Sequence, residues 1–410
     1  MKVWTKLLIG SVLGLILGII LPGDNLTVIK WLSWAEALAI GIGRYAVIPM
    51  VLFSLTISVY ELRQDKQFWP LFFKTFLLII GSALLVIPAG ILATMAFRPA
   101  RIPILIEEQL EAISLNVAEN VLKLFPSNMF TALTGDGVFI LPVCVFAFFL
   151  GIGLSYDRNF TKPVASLIDS LSRIFYHIAS FFSEILGVVM IALAAYWAVR
   201  FSGVIQAGVF RDLIVLLGVF AVILGFGILP LFLYFIRPKC NPWAVLYGSL
   251  GQALTAFFSG DMNFTLPVLL RSLKENGGCR RRSSALTATL FTIFGRAGSA
   301  MVAVTAFIVI IRSYISLGLS TEAIVSIGFQ AFLLSFLLAG HPGDGAYTIL
   351  AILCLGYGHG YEAGYLILKP MAFYLIAIGT FLDVMIATFA SVILARTGGF
   401  QEDKQIGQYI

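Results

Sequence analysis

Two short apolar segments in the second half of the chain are each interrupted near the middle by a polar cluster rich in glycine and proline. The first reads FFSGDMNFTLP at 257–267, and the second reads LAGHPGDGA at 338–346. The core of a lipid bilayer accepts non-helical backbone only where protein or a water-lined cavity satisfies its polar groups. Paired interrupted segments of this kind are typical of the binding site of a membrane transporter.

The composition indicates an integral membrane protein. Of 410 residues, 60% are hydrophobic and 12% are charged, whereas soluble domains carry about 25% charged residues. The net charge of +6 comes from cations in short loops between apolar runs. This arrangement sets membrane orientation and argues against a nucleic-acid partner. Four scattered cysteines without CxxC spacing and three histidines predict no metal site and no cofactor.

Apolar runs of about 20 residues predict membrane-spanning helices. Six of them lie at 4–22, 36–60, 71–97, 136–155, 172–200 and 211–236. The pattern then predicts a helical hairpin at 243–275, a helix at 283–313, a second hairpin at 322–358 and a helix at 362–396. In the first helix, Gly10, Gly14 and Gly18 recur every four residues, which favours close packing against another helix.

The positions of lysine and arginine predict the orientation of these segments. They lie before the first helix, after the second, fourth and sixth helices, after the first hairpin and at the end of the last helix. All these positions share one side only if each hairpin enters and leaves the membrane by the same face. That side is cytoplasmic by the positive-inside rule. We therefore expect an inner-membrane protein with both termini in the cytoplasm, an extracellular loop at 98–125 and a polar cytoplasmic tail at 397–410.

The order of the segments and three local motifs resemble a known family. The motifs are IPMVLFSL at 48–55, Thr265-Leu266-Pro267 in the first hairpin and GHPGDG at 340–345 in the second. Together they resemble the dicarboxylate/amino acid:cation symporters, the glutamate transporter family. The resemblance implies an all-α polytopic fold with eight transmembrane helices and two re-entrant helical hairpins. It also implies a homotrimer with an elevator mechanism, in which residues 1–236 supply the scaffold and part of the transport unit and residues 237–396 form the transport core.

Several functional positions of that family differ in this sequence. The serine-rich tip of the first hairpin is replaced by Gly-Asp-Met-Asn-Phe, and the Asn-Met-Asp-Gly-Thr motif of the next helix is replaced by GRAGS at 295–299. In the last helix, Asp383 matches the family's aspartate for a substrate amino group, but Ile386 replaces its substrate arginine. Two sodium ligands are replaced by Ala390 and Leu394. Because sodium requires several hard oxygen ligands, we expect degraded sodium sites, and coupling to protons or no strict coupling.

The candidates for binding a solute are the polar residues of the interrupted segments and of the two helices near them. They are Asp261, Asn263, Thr265, Arg296, Ser299, Gly343, Asp344 and Asp383. The candidates for carrying a proton are His341, Asp344 and Asp383. Arg44 and Glu184 lie in the predicted scaffold, where we expect structural pairing or a subunit contact.

Arg296 and Asp383 each have more than one interpretation. An ionisable group in mid-membrane costs about 2.5–3.5 kcal/mol, so it usually has a partner or a function. Arg296 would hold an anionic group of the solute or replace a lost sodium ion, or else form an ion pair with an aspartate. Asp383 would bind a substrate amine or a proton, or neutralise Arg296. For Asp261 and Asp344 the alternative to solute binding is capping of a helix start.

These observations predict a secondary transporter for a small organic solute, an amino acid or a dicarboxylate. Ile386, in place of the family's arginine, favours a neutral amino acid or another zwitterion over glutamate and aspartate. The alternatives are a sodium-coupled glutamate/aspartate symporter of the ordinary family type and an anion-conducting, channel-like member. An enzyme is disfavoured, because an intramembrane aspartyl protease needs two acids that share one water and the sequence offers only a short Gly-Asp motif at 343–344.

Overall fold

The computed structural model contains helices and turns but no β-strand in the part of the chain that it describes. It describes residues 2–22, 25–97, 99–103, 122, 124–126, 128–135, 137–236, 241–314, 320–340, 345–358 and 360–400. Seven helical segments within these ranges are long and apolar enough to cross a membrane. The chain is therefore an all-α, multi-pass membrane protein, as predicted.

The first half of the chain supplies the helices that surround the core. They are α1 (Val3–Ile20), α2 (Leu26–Arg44), α3 (Val47–Gln64), α4 (Phe68–Phe97), α5 (Leu141–Leu154), α6 (Arg158–Ala207), α7 (Arg211–Val222) and α8 (Leu229–Ile236). A 3₁₀ helix at Met129–Leu133 precedes α5, and a π-helix at Ile223–Ile228 joins α7 to α8. Helix α6 has 50 residues and is about 75 Å long at 1.5 Å per residue, so it extends well beyond one membrane crossing.

The second half forms a compact unit that we call the core block. It consists of α9 (Pro242–Ser259), α10 (Met262–Glu275), α11 (Arg281–Phe294), α12 (Ala297–Tyr314), α13 (Thr321–Leu337), α14 (Gly345–Tyr357) and α15 (Ala372–Thr397). Short 3₁₀ helices at Leu338–Gly340 and Gly364–Met371 follow α13 and precede α15. Helices α12 and α15 pack against each other at the centre, where nearly all their residues are buried.

Helices α9 and α10 form a hairpin at the predicted place. Gly260 ends α9 in the left-handed conformation, with φ of +63°, which glycine adopts without strain. The hydroxyl of Ser272 in α10 donates to the carbonyl oxygen of Gly248 in α9 at 2.7 Å and ties the arms together. The shorter arm has 14 residues and is about 21 Å long. This is less than the thickness of the hydrocarbon core, about 30 Å, and it favours the predicted re-entry from one face.

The first helical break lies between α2 and α3, where the sequence pattern predicted one span at 36–60. The two helices are separated at Tyr45 and Ala46. Pro49, in the first turn of α3, has no N–H group to donate to the carbonyl of Tyr45 and therefore interrupts the hydrogen-bond ladder. The prediction of a single helix here is wrong. Hydropathy measures how apolar the side chains are and does not show that Pro49 lacks a backbone N–H group.

Helix α1 packs along α6 through its three glycines, as the four-residue repeat predicted. A Cβ atom at Gly10, Gly14 or Gly18 would lie 1.9, 2.4 or 2.5 Å from a backbone carbonyl oxygen of α6. Any larger residue would push the two backbones apart, so this contact depends on small residues.

Ion pairs connect the core block with α3 and α6. They are Arg271–Glu184, Arg281–Asp169 and Arg282–Asp65. Glu184 Oε1 lies 2.8 Å from Arg271 Nη2, and Glu184 also contacts Lys6 of α1. The structural pairing expected for Glu184 is confirmed.

Candidate functional site

A cavity of about 230 Å³ lies between helices α2 and α6 on one side and the core block on the other. Its charged lining residues, among those described, are Glu36 and Arg44 of α2, Arg200 of α6, Asp261 at the start of α10 and Arg296 between α11 and α12. Trp197, Phe257, Phe258 and Phe373 supply an aromatic wall. Aromatic side chains beside a few convergent polar groups are typical of a small-molecule site.

Arg296 reaches this cavity because the helix predicted at 283–313 is divided in two. The backbone of Gly295 is non-helical, with φ of −86° and ψ of 61°, and a Cβ atom there would lie 2.6 Å from the Phe291 ring. The carbonyl of Arg296 then accepts the first hydrogen bond of α12, from the N–H of Ala300 at 3.0 Å. The prediction of a continuous helix is wrong, and Arg296 lies at a break rather than in mid-helix.

The carboxylate of Asp383 closes the start of α12 from the neighbouring helix α15. Its Oδ1 accepts hydrogen bonds from the N–H groups of Gly298 at 2.6 Å and Ser299 at 3.2 Å. Its Oδ2 accepts one from the Ser299 hydroxyl at 2.6 Å. A helix start has unsatisfied N–H groups and partial positive charge, which this buried carboxylate complements. Asp383 is not among the residues that line the cavity.

The guanidinium of Arg296 lies near carboxylates but retains an unsatisfied donor. It interacts electrostatically with Asp383 and Asp261. Its Nε atom is buried and has no hydrogen-bond partner among the described residues. Leaving a buried donor without an acceptor costs about 1–3 kcal/mol. An anionic group that enters the cavity can therefore gain free energy at this position.

The tip of the first hairpin is attached to α2 and to the segment before α5. Asp261 Oδ1 accepts a hydrogen bond from the N–H of Asn263 at 2.9 Å and caps α10, as its capping interpretation predicted. Its Oδ2 accepts another from Arg44 Nε at 2.6 Å. Asn263 Nδ2 donates to the carbonyl oxygens of Gly137 and Val138 at 3.1 and 2.6 Å. The structural pairing expected for Arg44 is thus confirmed.

The structure brings some of the predicted solute-binding residues to the cavity and places others away from it. Asp261, Asn263 and Arg296 line the cavity. Thr265, Ser299 and Asp383 are buried and hydrogen-bonded elsewhere. Gly343, Asp344 and His341 lie outside the described residues.

Sequence reasoning missed two charged residues of the cavity, Glu36 and Arg200. Each stood at the end of a predicted apolar run, where an interfacial charge is ordinary. In the structure α2 begins at Leu26 and α6 continues to Ala207, so both residues lie within a helix. The helix-start signal at Asn25, whose side chain accepts a hydrogen bond from the N–H of Thr27, could have placed Glu36 correctly.

Residues 3–397 match the sequence model of the Sodium:dicarboxylate symporter family. The chain belongs to this family. The predicted resemblance is confirmed over nearly the whole chain, and the protein belongs with transporters rather than with enzymes.

Individual members of the family are similar over parts of their length. The Proton/sodium-glutamate symport protein of Bacillus subtilis (strain 168) is 24% identical over 296 residues, which cover 67% of this chain and 65% of that protein. Neutral amino acid transporter A of Homo sapiens is 27% identical over 224 residues, or 53% of this chain and 41% of the human protein. Excitatory amino acid transporter 1 of Rattus norvegicus is 26% identical over 223 residues, or 53% and 40% of the two chains. The matched part is thus less than two thirds of each relative.

Proposed function

We propose that the protein is a secondary transporter of a small organic solute and that Arg296 binds the solute's carboxylate. The observation that carries this proposal is the buried Nε donor of Arg296 beside a cavity, which has no acceptor within the described part of the chain. Arginine matches a carboxylate with two parallel hydrogen bonds. Glutamate, neutral amino acids and dicarboxylates, the solutes in the names of the family and its members, all contain a carboxylate.

The proposed transport cycle moves the core block past the helices of the first half. The predicted division into a scaffold at 1–236 and a transport core at 237–396 underlies this elevator-type motion, and a homotrimer would hold the scaffold still. The attachment of the hairpin tip to α2 and to residues 137–138 consists of a few polar contacts and of the packing of the Phe264 ring against Gly43 of α2. Contacts of this kind can break and form without unfolding a helix.

We further propose that sodium is not required. Ala390 and Leu394, which stand at two positions of the family's sodium ligands, are buried apolar residues and offer no side-chain oxygen. The oxygens of Asp383 already accept hydrogen bonds from Gly298 and Ser299. Arg296 places a permanent cation in the same region, so transport would be coupled to protons or uncoupled.

Uptake into proteoliposomes tests both parts of the proposal. Radiolabelled alanine, glutamate, succinate and propionate serve as probes, with sodium replaced by choline at fixed voltage and pH. We expect at least one probe to be taken up, with the same rate in sodium and in choline. Arg296→Gln should reduce this uptake by at least about tenfold, since a buried ion pair loses its partner.

The matched control is Arg312→Gln, the same change on helix α12 at a residue that does not line the cavity. It should leave uptake within about twofold, because Arg312 is half-buried and does not line the cavity. Strong stimulation by sodium would contradict the coupling proposal alone. Equal uptake by Arg296→Gln and the parent protein would contradict the assigned role of Arg296.

A further inference from the structure

Another cavity, of about 330 Å³, lies between α7, the π-helix that follows it, α9 and α15. We call it the lateral pocket. Its volume falls within the range of small-molecule sites, about 300–1,000 Å³. Among its described lining residues, Tyr374 alone carries a polar side-chain group. The walls include Gly218, Val222, Phe226, Ala253, Phe257 and Phe381.

Aromatic rings give the lateral pocket its shape. The π-helix brings Phe226 against Phe381 of α15, with ring centroids 6.0 Å apart and the ring planes at 28°. Short π-helical turns of this kind are frequent at functional sites. The hydroxyl of Tyr374 donates a hydrogen bond to the carbonyl oxygen of Ile214 at 2.9 Å. An apolar ligand would therefore leave no hydrogen bond of Tyr374 unsatisfied.

The mouth of the lateral pocket lies on an exposed apolar surface. Val222 lines the pocket, and it is exposed together with Val215, Val219 and Ile223 on the same side of the molecule as α7. These residues belong to the segment Arg211–Ile236, which is long and apolar enough to cross a membrane. Apolar side chains on the outside of a spanning segment match the hydrocarbon of the bilayer. The pocket thus opens toward lipid.

The depth of the lateral pocket limits what can enter it. Arg211 is exposed at the start of α7, and its charge places it at the membrane surface. Gly218 and Phe226 lie about 10 and 22 Å further along the helix axis at 1.5 Å per residue, within a hydrocarbon core about 30 Å thick. Irregular polar backbone cannot face lipid at this depth, and neither can a charged headgroup. An acyl chain is the bilayer component that fits.

We infer that the lateral pocket binds the acyl chain of a bilayer lipid. The chain enters past Val222 and lies against the rings of Phe226 and Phe381, while the headgroup stays at the membrane surface. It supplies dispersion contacts that an empty apolar pocket lacks. Phe257 lines both this pocket and the solute cavity, so the bound chain supports one wall of that cavity. This inference does not depend on the proposed transport function, because lipid binding is measured without solute.

Photo-crosslinking of the full-length protein in proteoliposomes tests the inference. The probe is a phosphatidylcholine with a diazirine in the middle of one acyl chain, diluted into unlabelled phosphatidylcholine. Proteolysis and mass spectrometry locate the crosslinks. We expect crosslinks at 218–226 and 250–257 to be at least about fivefold more frequent than at the exposed apolar residues 77–85 of α4, since a chain held in a pocket binds more tightly than one at an open surface.

Two variants fill the lateral pocket, one from its wall and one from its mouth. Ala253→Phe and Val222→Trp should each reduce the crosslinks at least about fivefold, because the added ring takes the volume of the acyl chain. Val222 is exposed, so its substitution does not disturb the packed core. The matched control is Ala96→Phe on the exposed surface of α4, which should leave the crosslinks within about twofold.

The position of the diazirine provides a further control. A probe that carries it beside the headgroup should not label the pocket, because that part of the lipid remains at the membrane surface. Labelling of the pocket at the same frequency as the α4 surface would show ordinary lipid contact and overturn the inference. Labelling that both filling variants leave unchanged would overturn it as well.

Discussion

At the scale of single residues, the Asp383 carboxylate supplies a helix cap that the chain before α12 cannot provide. The residue before α12 is Arg296, whose side chain has donors but no acceptor. The N–H groups of Gly298 and Ser299 therefore need an acceptor from elsewhere, and Asp383 of α15 provides it. The break that brings Arg296 to the cavity thus depends on a residue 85 positions from Gly298.

Replacing Asp383 should consequently destabilise the protein even when no solute is present. Asp383→Asn removes the charge that strengthens three hydrogen bonds, and we expect a loss of about 2–3 kcal/mol in the free energy of unfolding. Ser299→Ala removes one of these bonds and should cost about 1 kcal/mol. Thermal unfolding in detergent, followed by circular dichroism, measures both.

Ser391→Ala is the matched control for this series. Ser391 is a buried residue of the same helix, and its hydroxyl has no hydrogen-bond partner among the described residues. Removing that hydroxyl should be neutral or slightly stabilising. If Asp383→Asn unfolds at the parent temperature and differs only in solute binding, the carboxylate serves the solute, as the sequence comparison implied, and not α12.

Individual site residues were only partly predictable from sequence. Arg296 stands out because a charge in an apolar run requires a partner or a function. The sequence does not indicate which carboxylates lie near Arg296, since Asp261 and Asp383 come from different helices. The contact between Arg44 and Asp261 joins residues 217 positions apart, and no local pattern indicates such a pair.

At the scale of secondary-structure elements, the first hairpin uses the two oxygens of Asp261 for different purposes. Oδ1 holds the start of α10 together within the hairpin, and Oδ2 attaches the hairpin to Arg44 of α2. Separation of the core block from α2 would break the second bond and leave the first intact. The tip can therefore move as a folded unit.

Asp261→Asn should detach the tip without unfolding α10. Asparagine caps a helix as well as aspartate does, but it cannot form the ion pair with Arg44. We expect the amides of residues 257–265 to exchange hydrogen at least about fivefold faster, equivalent to about 1 kcal/mol for a partly buried pair. Hydrogen exchange with mass spectrometry measures this rate, and Arg44→Gln should reproduce it.

Asp157→Asn is the control for the substitution itself. Asp157 caps α6 through the N–H of Asn159 at 3.2 Å. Its exchange around residues 157–161 should remain near that of the parent. Equal acceleration at both sites would show that the cap, and not the ion pair, holds the tip.

The extent of each helix was predicted better than its interruptions. Long apolar runs gave the places of α1 and α4, because a bilayer-spanning segment must be apolar. The breaks at Tyr45 and at Gly295 are invisible to hydropathy, since the residues around them are mainly apolar. They arise from a missing backbone donor and from a cap supplied by a distant helix.

At the scale of the whole molecule, the long helix α6 links two turns that the predicted topology places on opposite sides of the membrane. Tyr156 lies in the turn before α6 and is 95% exposed, and Val209 lies in the turn after it and is 42% exposed. Lysine and arginine cluster on the side of Tyr156, which the positive-inside rule assigns to the cytoplasm.

Cysteine labelling should reveal this orientation. In a chain whose own four cysteines are replaced by alanine, Val209→Cys should react with a membrane-impermeant maleimide on intact cells. Tyr156→Cys should react only after the cells are opened, because the predicted orientation places its turn in the cytoplasm. The reverse pattern would invert the predicted orientation, and labelling of both from outside would show that α6 does not cross.

The ion pairs of the core block differ in how far dissolved salt can reach them. In the pair Arg282–Asp65 the Asp65 side chain is 44% exposed, and exposed charges are screened over about 10 Å at 0.1 M ionic strength. Arg44–Asp261 lines a cavity between helices and is screened less. Raising the ionic strength should weaken the Arg282–Asp65 pair more than the Arg44–Asp261 pair at the tip of the first hairpin. Any comparison of sodium with another cation must therefore hold the total salt concentration constant. A change in ionic strength alone would alter the ion pairs between the core block and the first half of the chain.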